Sequence, residues 1–371
     1  MNNSKTDKIW TISPANKIEG EAIWQLERAG ALPGMLRAVG LPDLHPGKGA
    51  PVGAAFFTDG MVYPYLIGND LGCGMALWKT SLKSGRFKPE KIQKRLHGLE
   101  EPWTGDAAAW LGDYGVKQVS DEYAIGSIGL GNHFAELQTI CDVHDENACT
   151  SAGIASDIVY LLIHSGSRTK GDILLRKHVD KHRDAGLDTS LAEGKEYLEQ
   201  SKECLRWAHA NRALIACRIL DLIGAEGVEI SDHPHNFVES AIIGDIKGLI
   251  HRKGATPADR GMTVIPGSRG SLSYIVQPIP TESSLNSVAH GAGRKWARSE
   301  CKDRLRDRYS ARSLTRTDLG SLVICDDKDL LFEEAPMAYK NIDNVIMEMK
   351  DAGLVRVIAT LKPLITYKVR R

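Results

Sequence analysis

The chain has 371 residues, 42% of them hydrophobic and 25% charged, and its 47 basic residues are balanced by 47 acidic ones. That length allows about two or three domains or one large α/β domain, and the composition is that of an ordinary globular protein, neither disordered nor membrane-embedded. A formal net charge of zero removes any whole-molecule electrostatic case for nucleic acid or lipid, so such partners must be sought in local patches.

The N-terminal residues are polar and lack the apolar run of a signal peptide, and no stretch reaches the roughly 18 consecutive apolar residues of a membrane span. Cysteines 73, 141, 149, 204, 217, 301 and 325 follow no disulfide-scaffold spacing, so mostly buried thiols in a reducing cytoplasm are expected. The first 80 residues read as short strands and turns. Within them 41–49 is a turn-rich loop, and the run from Pro51 to Phe57 is a buried strand. Residues 89–98 read as a helix. Gly126 to Gly131 is a glycine-rich loop opening into Asn132, His133, Phe134, Ala135 and Glu136. The continuous apolar run from Ile158 to Ile163 predicts a buried strand that delivers His164 at its end. From 171 to 223 the pattern turns helical and more charged, the best candidate for a helical insertion within the domain. Met262 to Val276 reads as two strands around a tight glycine turn, 294–309 as a helix, and the C-terminus as two strands, Val355–Ile358 and Leu364–Val369. There are no internal repeats or low-complexity tracts.

Several motifs carry chemistry. In Asp70-Leu-Gly-Cys73-Gly a hard carboxylate and a soft thiolate are flanked by glycines that leave room for cations, since a thiolate can bridge two of them. Alone, the motif fits a buried structural cysteine equally well. His133, His164 and His235 each follow a glycine loop or an apolar strand and neighbour Asn, Ser or Gly. One carboxylate, one thiolate and three imidazoles would serve two divalent metals with open positions, as catalysis requires; manganese, cobalt and zinc all suit this donor set. His97, His144, His178, His182 and His209 lie in charged, helical surroundings and read as surface or helix-face residues. His45 and His251 fall inside motifs without a decided role, and His233 could exchange roles with His235.

His290 stands apart. It precedes Gly291-Ala292-Gly293-Arg294 and an expected helix, so free backbone N–H groups would face an anion there. A neutral imidazole in such a turn can attack a phosphorus; it can equally be a capping residue. Pro266-Gly267-Ser268-Arg269 with Ser273, and 251–256, offer hydroxyls, amides and cations suited to polyanions, or are ordinary turns. Segment 294–316 holds nine Lys or Arg against three acids, which suits an RNA or DNA track or a solvated basic face.

Taken in order from Pro42-Asp43-Leu44-His45 to Lys368, these motifs resemble the RtcB family of RNA ligases, which join a 3′-phosphate or 2′,3′-cyclic phosphate end to a 5′-hydroxyl end using GTP. The resemblance implies a single large α/β domain with a β-sheet core flanked by helices over 1–371, within which 171–223 is a helical insertion. It implies two Mn²⁺ per chain bridged by Cys73, one also held by Asp70 and His133, the other by His164 and His235. It makes His290 the residue that becomes guanylylated, with GMP surrounded by Asn132, Phe134, Glu136, Asn236, Pro266, Gly267, Ser268, Arg269, Ser273, Gly291, Ala292 and Gly293. Lys368, helped by Glu136, would read the guanine, and Arg168, Arg294 and Arg298 would hold RNA phosphates. The chain departs from the family pattern at 169–171, at Arg269 where methionine is common, at Ala289, and in its Lys368-Val-Arg-Arg ending. These departures resemble a bacterial branch associated with a peptide-release-factor homologue and repair of ribosomal RNA. The principal alternative is a dinuclear metal phosphoesterase that opens cyclic phosphates without joining ends. An RNA-binding protein with a degenerate site is disfavoured because every implied ligand is present.

Overall fold

The structure, a computed structural model, describes residues 8–14, 17–117 and 125–370. The polar segment 1–7, on which the signal-peptide reading rests, lies outside them. The elements run β1 (Ile9–Thr11), α1 (Gly20–Gly30), β2 (Met35–His45), β3 (Val52–Thr58), β4 (Met61–Val62), β5 (Gly74–Lys83), α2 (Pro89–Gln93), α3 (Ala107–Asp113), β6 (Phe134–Val143), α4 (Glu146–Ser151), β7 (Ile158–Ser165), α5 (Thr169–His182), β8 (Leu187–Asp188) and α6 (Ala192–Ile223). They continue with β9 (Gly227–Pro234), β10 (Asn236–Ile243), β11 (Ile246–Lys253), β12 (Ala255–Pro257), β13 (Thr263–Ile265), β14 (Ser273–Pro278), β15 (Ser287–Ala289), α7 (Arg298–Leu305), β16 (Leu322–Cys325), α8 (Lys328–Glu333), α9 (Ile342–Asp351) and β17 (Val355–Val369).

Two large sheets carry this mixed α/β fold. One has the order β13-β14-β17-β6-β7-β5-β9, with β16 parallel to the far half of β17; the other has the order β1-β2-β3-β11-β10. The apolar run of β7 arises because both its faces are covered. Val159, Leu161 and Ile163 share a core with Ile215, Ile219 and Ile223 of α6. Tyr160 and Leu162 share another with Cys149, Ile275 and Leu361. By the two-residue period His164 continues the Tyr160–Leu162 row and Ser165 the row that faces α6. The helical stretch within 171–223 consists of α5 and the 32-residue α6, which lies across β5, β7 and β9 and stops at Gly224, whose φ of 67° is left-handed. In the second sheet Ala54 and Phe56 of β3 pack on Ala22, Leu26 and Ala29 of α1. Ala55 and Phe57 face Ile342, Val345, Ile346 and Met349 of α9.

Several local expectations are overturned. Helix α1 stands where only strands and turns are expected; its buried stripe of Ala22, Leu26 and Ala29 is masked in the sequence by Trp24, which is exposed and covered by Arg28. Residues 41–45 are not loop: β2 runs through His45, with its ladder to β3 interrupted between Gly40 and His45. The C-terminus is one strand rather than two. Pro363, which cannot donate to a ladder, is accommodated where the β17–β6 register shifts between Pro363 and Ile365. Helix α2 ends at Gln93, and α7 starts at Arg298 rather than 294, because Arg294 forms an isolated bridge to Tyr339. The turn between β13 and β14 is a seven-residue loop (266–272), not a tight one.

The α6 contact with the sheet gives a stability prediction. Ile219 is 1% exposed, so Ile219→Ala should cost about 2–5 kcal/mol in chemical denaturation. Trp24→Ala on the exposed face of α1 should change it by less than about 0.5 kcal/mol. Equal effects would contradict this packing.

Candidate active site

Register brings the ligand motifs together. In the central sheet Met75 of β5 pairs with His164 of β7, and His164 pairs with Phe134 of β6. Gly74 pairs with Pro234 at the end of β9. Cys73, His133, His164 and His235 therefore meet at one end of four adjacent strands. Asp70 joins them on the turn before β5, where Cys73 N donates to Asp70 O at 3.1 Å. Gly72 makes that turn with φ of 78°, and a Cβ there would lie 2.8 Å from Ala208 of α6.

Two donor groups share Cys73: Asp70, Cys73 and His133 form one, and Cys73, His164 and His235 the other. Cys73 Sγ lies 3.5 Å from His133 Nε2 and 3.0 Å from His164 Nε2. His133 Nε2 is 2.5 Å from Asp70 Oδ2, and His164 Nε2 is 3.4 Å from His235 Nε2. His164 Nδ1 lies 3.1 Å from Asn132 O, so that nitrogen carries the proton and Nε2 turns its lone pair toward the sulfur. Burial holds His164 and His235 well below the usual imidazole range and the Cys73 thiol well above its own. Burial pushes Asp70 upward too, but His133, the Cys73 hydrogen bond and His164 outweigh it and leave the carboxyl at about 2. Asp70 Oδ1 and His235 Nδ1 are buried without hydrogen-bond partners. A carboxylate, a sulfur and neutral imidazoles crowded in this way fit two divalent cations, whose charge would also favour the thiolate.

His290 lies beside this cluster, its ring centroid 4.8 Å from that of His235. Its Nδ1 is 2.6 Å from Oδ2 of Asp43, which also accepts from His290 N at 3.3 Å. Asp43 is fully buried on β2. An imidazole whose Nδ1–H is held by a buried carboxylate presents the Nε2 lone pair as a nucleophile. Two glycines make room: a Cβ on Gly254 would fall 2.9 Å from His290 Cε1, and one on Gly293 would fall 2.4 Å from Asp43 O. The expected helix start is absent here, since α7 begins eight residues later, and Ala292 N donates to Pro266 O.

A cleft of about 1500 Å³ opens over these groups. It is lined by Asp70, Cys73, His164, His235 and His290, and by Asn132, Phe134, Glu136, Asn236, Pro266, Gly267, Ser268, Arg269, Gly291, Ala292, Gly293, Arg294, Arg298 and Lys368. His133, Ser273 and Arg168 lie behind its wall. Ser273 Oγ accepts from Gln138 at 3.2 Å, and Arg168 Nη1 lies 3.4 Å from His133 Nδ1. Arg168 has φ of 57°, a left-handed conformation unusual for a residue with a side chain. Glu136 accepts from Thr366 and Gln138, and burial lifts its carboxyl to about 7. Lys368 donates to Gly131 O at 2.8 Å and sits 5.9 Å over the Phe134 ring. Its carboxylate neighbour is Glu334 at 3.6 Å. Arg269 is buried, with Nη2 donating to Leu331 O at 2.8 Å.

Glu334 was not marked by any motif. It is buried, and Arg294 at 3.1 Å, Arg298 at 3.5 Å and Lys368 converge on it. Burial pushes its carboxyl up, but Lys368, Arg298 and Arg294 hold it below the usual range. Arg294 also donates to Glu333 O and Trp296 O, whereas the Arg298 side chain stays 43% exposed and open to a ligand. Asp43 was quoted in a motif without a role; its only signal was a carboxylate after Pro42 in a stretch read as a turn-rich loop. The basic segment is partly neutralised, since Lys302 pairs with Asp329, Arg304 with Glu300, Arg306 with Asp303 and Arg316 with Glu90. His45 and His251 are buried, and burial lowers each to about 4; they bond Asp43 O and Tyr63 N. His233 bonds Met262 O outside the ligand cluster. His178 sits on a face of α5 and is buried against Ala185 O.

A family model described as tRNA-splicing ligase RtcB matches residues 25–108 and 113–369. An RNA-splicing ligase RtcB2 of Escherichia coli is 45% identical over 367 residues, 98% of this chain and 96% of that protein. The tRNA-splicing ligases RtcB of Archaeoglobus fulgidus and Thermococcus kodakarensis are 30% and 28% identical, over 94% and 92% of this chain and 91% and 89% of their own. With one family model covering nearly its whole length, the chain belongs to the RtcB family of RNA ligases.

Proposed function

We propose that this protein is a GTP- and Mn²⁺-dependent ligase that joins RNA 3′-phosphate or 2′,3′-cyclic phosphate ends to 5′-hydroxyl ends through a guanylylated His290. The observation that carries the reading is the placement of His290, oriented by buried Asp43 at 2.6 Å and set against the ligand His235. A hydrolase that only opens cyclic phosphates needs no guanylylated histidine, so dependence of joining on a His290–GMP adduct separates the two readings. Asp70, Cys73, His133, His164 and His235 would hold two Mn²⁺, which when bound neutralise phosphate charge and polarise phosphorus–oxygen bonds.

His290 Nε2 attacks the α-phosphorus of GTP: a P–N bond forms and pyrophosphate leaves. Asp43 keeps the proton on Nδ1 and offsets the positive charge that the ring gains. Water first opens any 2′,3′-cyclic end to a 3′-phosphate and a 2′-hydroxyl; an oxygen of the RNA 3′-phosphate then attacks the α-phosphorus, the P–N bond breaks, and the RNA end carries GMP. The 5′-hydroxyl oxygen finally attacks the RNA 3′-phosphorus, gives up its proton, and expels GMP. Lys368, Glu136, Phe134, Asn132, Asn236, Ser273 and the 266–269 and 291–293 loops are assigned to GMP, and Arg168, Arg294 and Arg298 to RNA phosphates. Lys368, Glu136, Arg294 and the 43%-exposed Arg298 in the cleft lining support this assignment, whereas Ser273 and Arg168, which do not line the cleft, rest on the family resemblance. Among the described residues no helix is long and apolar enough to cross a membrane, in keeping with a cytoplasmic role in RNA repair. The proposed partners are broken RNAs, ribosomal RNA among them, in a pathway shared with a release-factor homologue; no membrane takes part.

The test is an RNA-joining assay with 3′-phosphate and 5′-hydroxyl oligonucleotides, GTP and Mn²⁺. Wild-type protein should join them, His290→Ala should not, and Asp43→Asn should be slower by on the order of 100-fold or more. Opening of cyclic phosphate ends without any joining by the wild type would favour the phosphoesterase instead.

Glu136 gives a pH prediction. Its folded pKa of about 7 lies above the ordinary 4.5, so the fold binds a proton there more tightly than the unfolded chain does. Stability from this group is full below the ordinary value and is lost as pH rises through about 7. Relative to wild type, Glu136→Gln should therefore gain denaturation stability steadily between about pH 5 and pH 8. A difference that stays constant over that range would contradict the shift.

A further inference from the structure

We infer that Asn211 and Arg212, adjacent on α6, are positioning residues for the metal centre, bracing from behind the segments that carry all five ligands. The inference rests on the two-metal reading above. Arg212 Nη1 donates to Gly72 O at 2.7 Å and to Ser165 O at 2.8 Å. Those carbonyls belong to the residues next to Cys73 and His164. Its Nε and Nη2 grip Asp232 at 2.7 and 2.5 Å, on the strand that leads to His235. Asn211 Oδ1 accepts from Gly126 N at 2.8 Å, at the start of the loop that leads to His133. Its Nδ2 donates at 3.1 Å to Ser165 Oγ, which in turn donates to Ile128 O at 2.9 Å.

Both side chains are almost wholly buried. A buried guanidinium carries a desolvation cost that an apolar residue of similar volume avoids, so helix packing alone does not call for one. Further along, the same helix meets the same sheet through Ile215, Ile219 and Ile223. The polar pair is confined to the turn of α6 that lies behind the ligand-bearing strand ends. A planar, forked donor does what an aliphatic side chain cannot: it fixes acceptors from two strands and the turn before β5 at set spacings. Lysine keeps the charge but lacks the fork, and leucine matches asparagine in size without its amide.

The test is Co²⁺ titration of purified protein, reading stoichiometry, affinity and the thiolate and ligand-field absorption bands, alongside melting of the metal-free forms. Arg252→Lys is the matched control. Arg252 is equally buried and paired with a carboxylate, Glu239, but its remaining hydrogen bonds go to Ser287 and Asn286, and beyond Glu239 it meets the strand that follows His235 only over the Phe237 ring. Wild type should bind two Co²⁺. Arg212→Lys and Asn211→Leu should bind about 10- to 100-fold more weakly, with altered ligand-field bands. Arg252→Lys should melt lower yet bind like wild type. Wild-type affinity and spectra in folded Arg212→Lys and Asn211→Leu would overturn the inference, as would equal weakening in Arg252→Lys. If Arg212→Lys does not fold, Asn211→Leu decides by the same criteria. A wild type that takes up no Co²⁺ would instead remove the two-metal reading, and this inference with it.

Discussion

Strand register is the constraint on which the site depends. Met75 opposite His164, and His164 opposite Phe134, place a sulfur and three imidazoles at one edge of a sheet. Because side chains alternate, a slip of one residue between β5 and β7 would turn His164 toward α6 and put Ser165 in its place. The slip is opposed on both faces of β7 at once, by the apolar rows Val159–Leu161–Ile163 and Tyr160–Leu162. The packing that stabilises the fold and the geometry of the ligands are thus the same fact.

The chemistry follows from where charge is buried. Around Cys73 burial holds His164 and His235 below the usual imidazole range and the thiol above its own, so the proposed cations would convert an unfavourable crowd of donors into ligands. One step away the logic is reversed: Asp43, fully buried, gains a partner in His290 and so fixes which nitrogen is free. Beyond that, Glu334 gathers Arg294, Arg298 and Lys368, so the proposed guanine end and the proposed RNA end of the cleft meet at one carboxylate. The proposed metal centre, nucleophile and polyanion pocket lie side by side, organised in turn by the partly buried Asp70 and the buried Asp43 and Glu334.

Much of this was legible in the sequence, and what was not has physical reasons. The β7 run announced both a buried strand and the delivery of His164, because continuous apolar residues ending in a histidine have few other uses. The five ligand-type residues were legible through their glycine and small polar neighbours, which close backbone approach demands. Asp43 was visible without a role, since its partner lies 247 residues away and nothing local encodes that distance. Glu334, Asn211 and Arg212 carried no signal, because a buried polar residue on a helix or at its end looks like a solvated one until the fold covers it. Helix α1 was hidden by a tryptophan on its outer face, and the unbroken β17 by a proline that a register shift absorbs.

The account's central claim is that His290 is the nucleophile beside the metal cluster, and the most direct measurement is capture of labelled GMP. Protein incubated with α-labelled GTP and Mn²⁺ should acquire acid-labile label that maps by peptide analysis to His290. Label on another residue, or none on folded, metal-loaded protein, would contradict the claim.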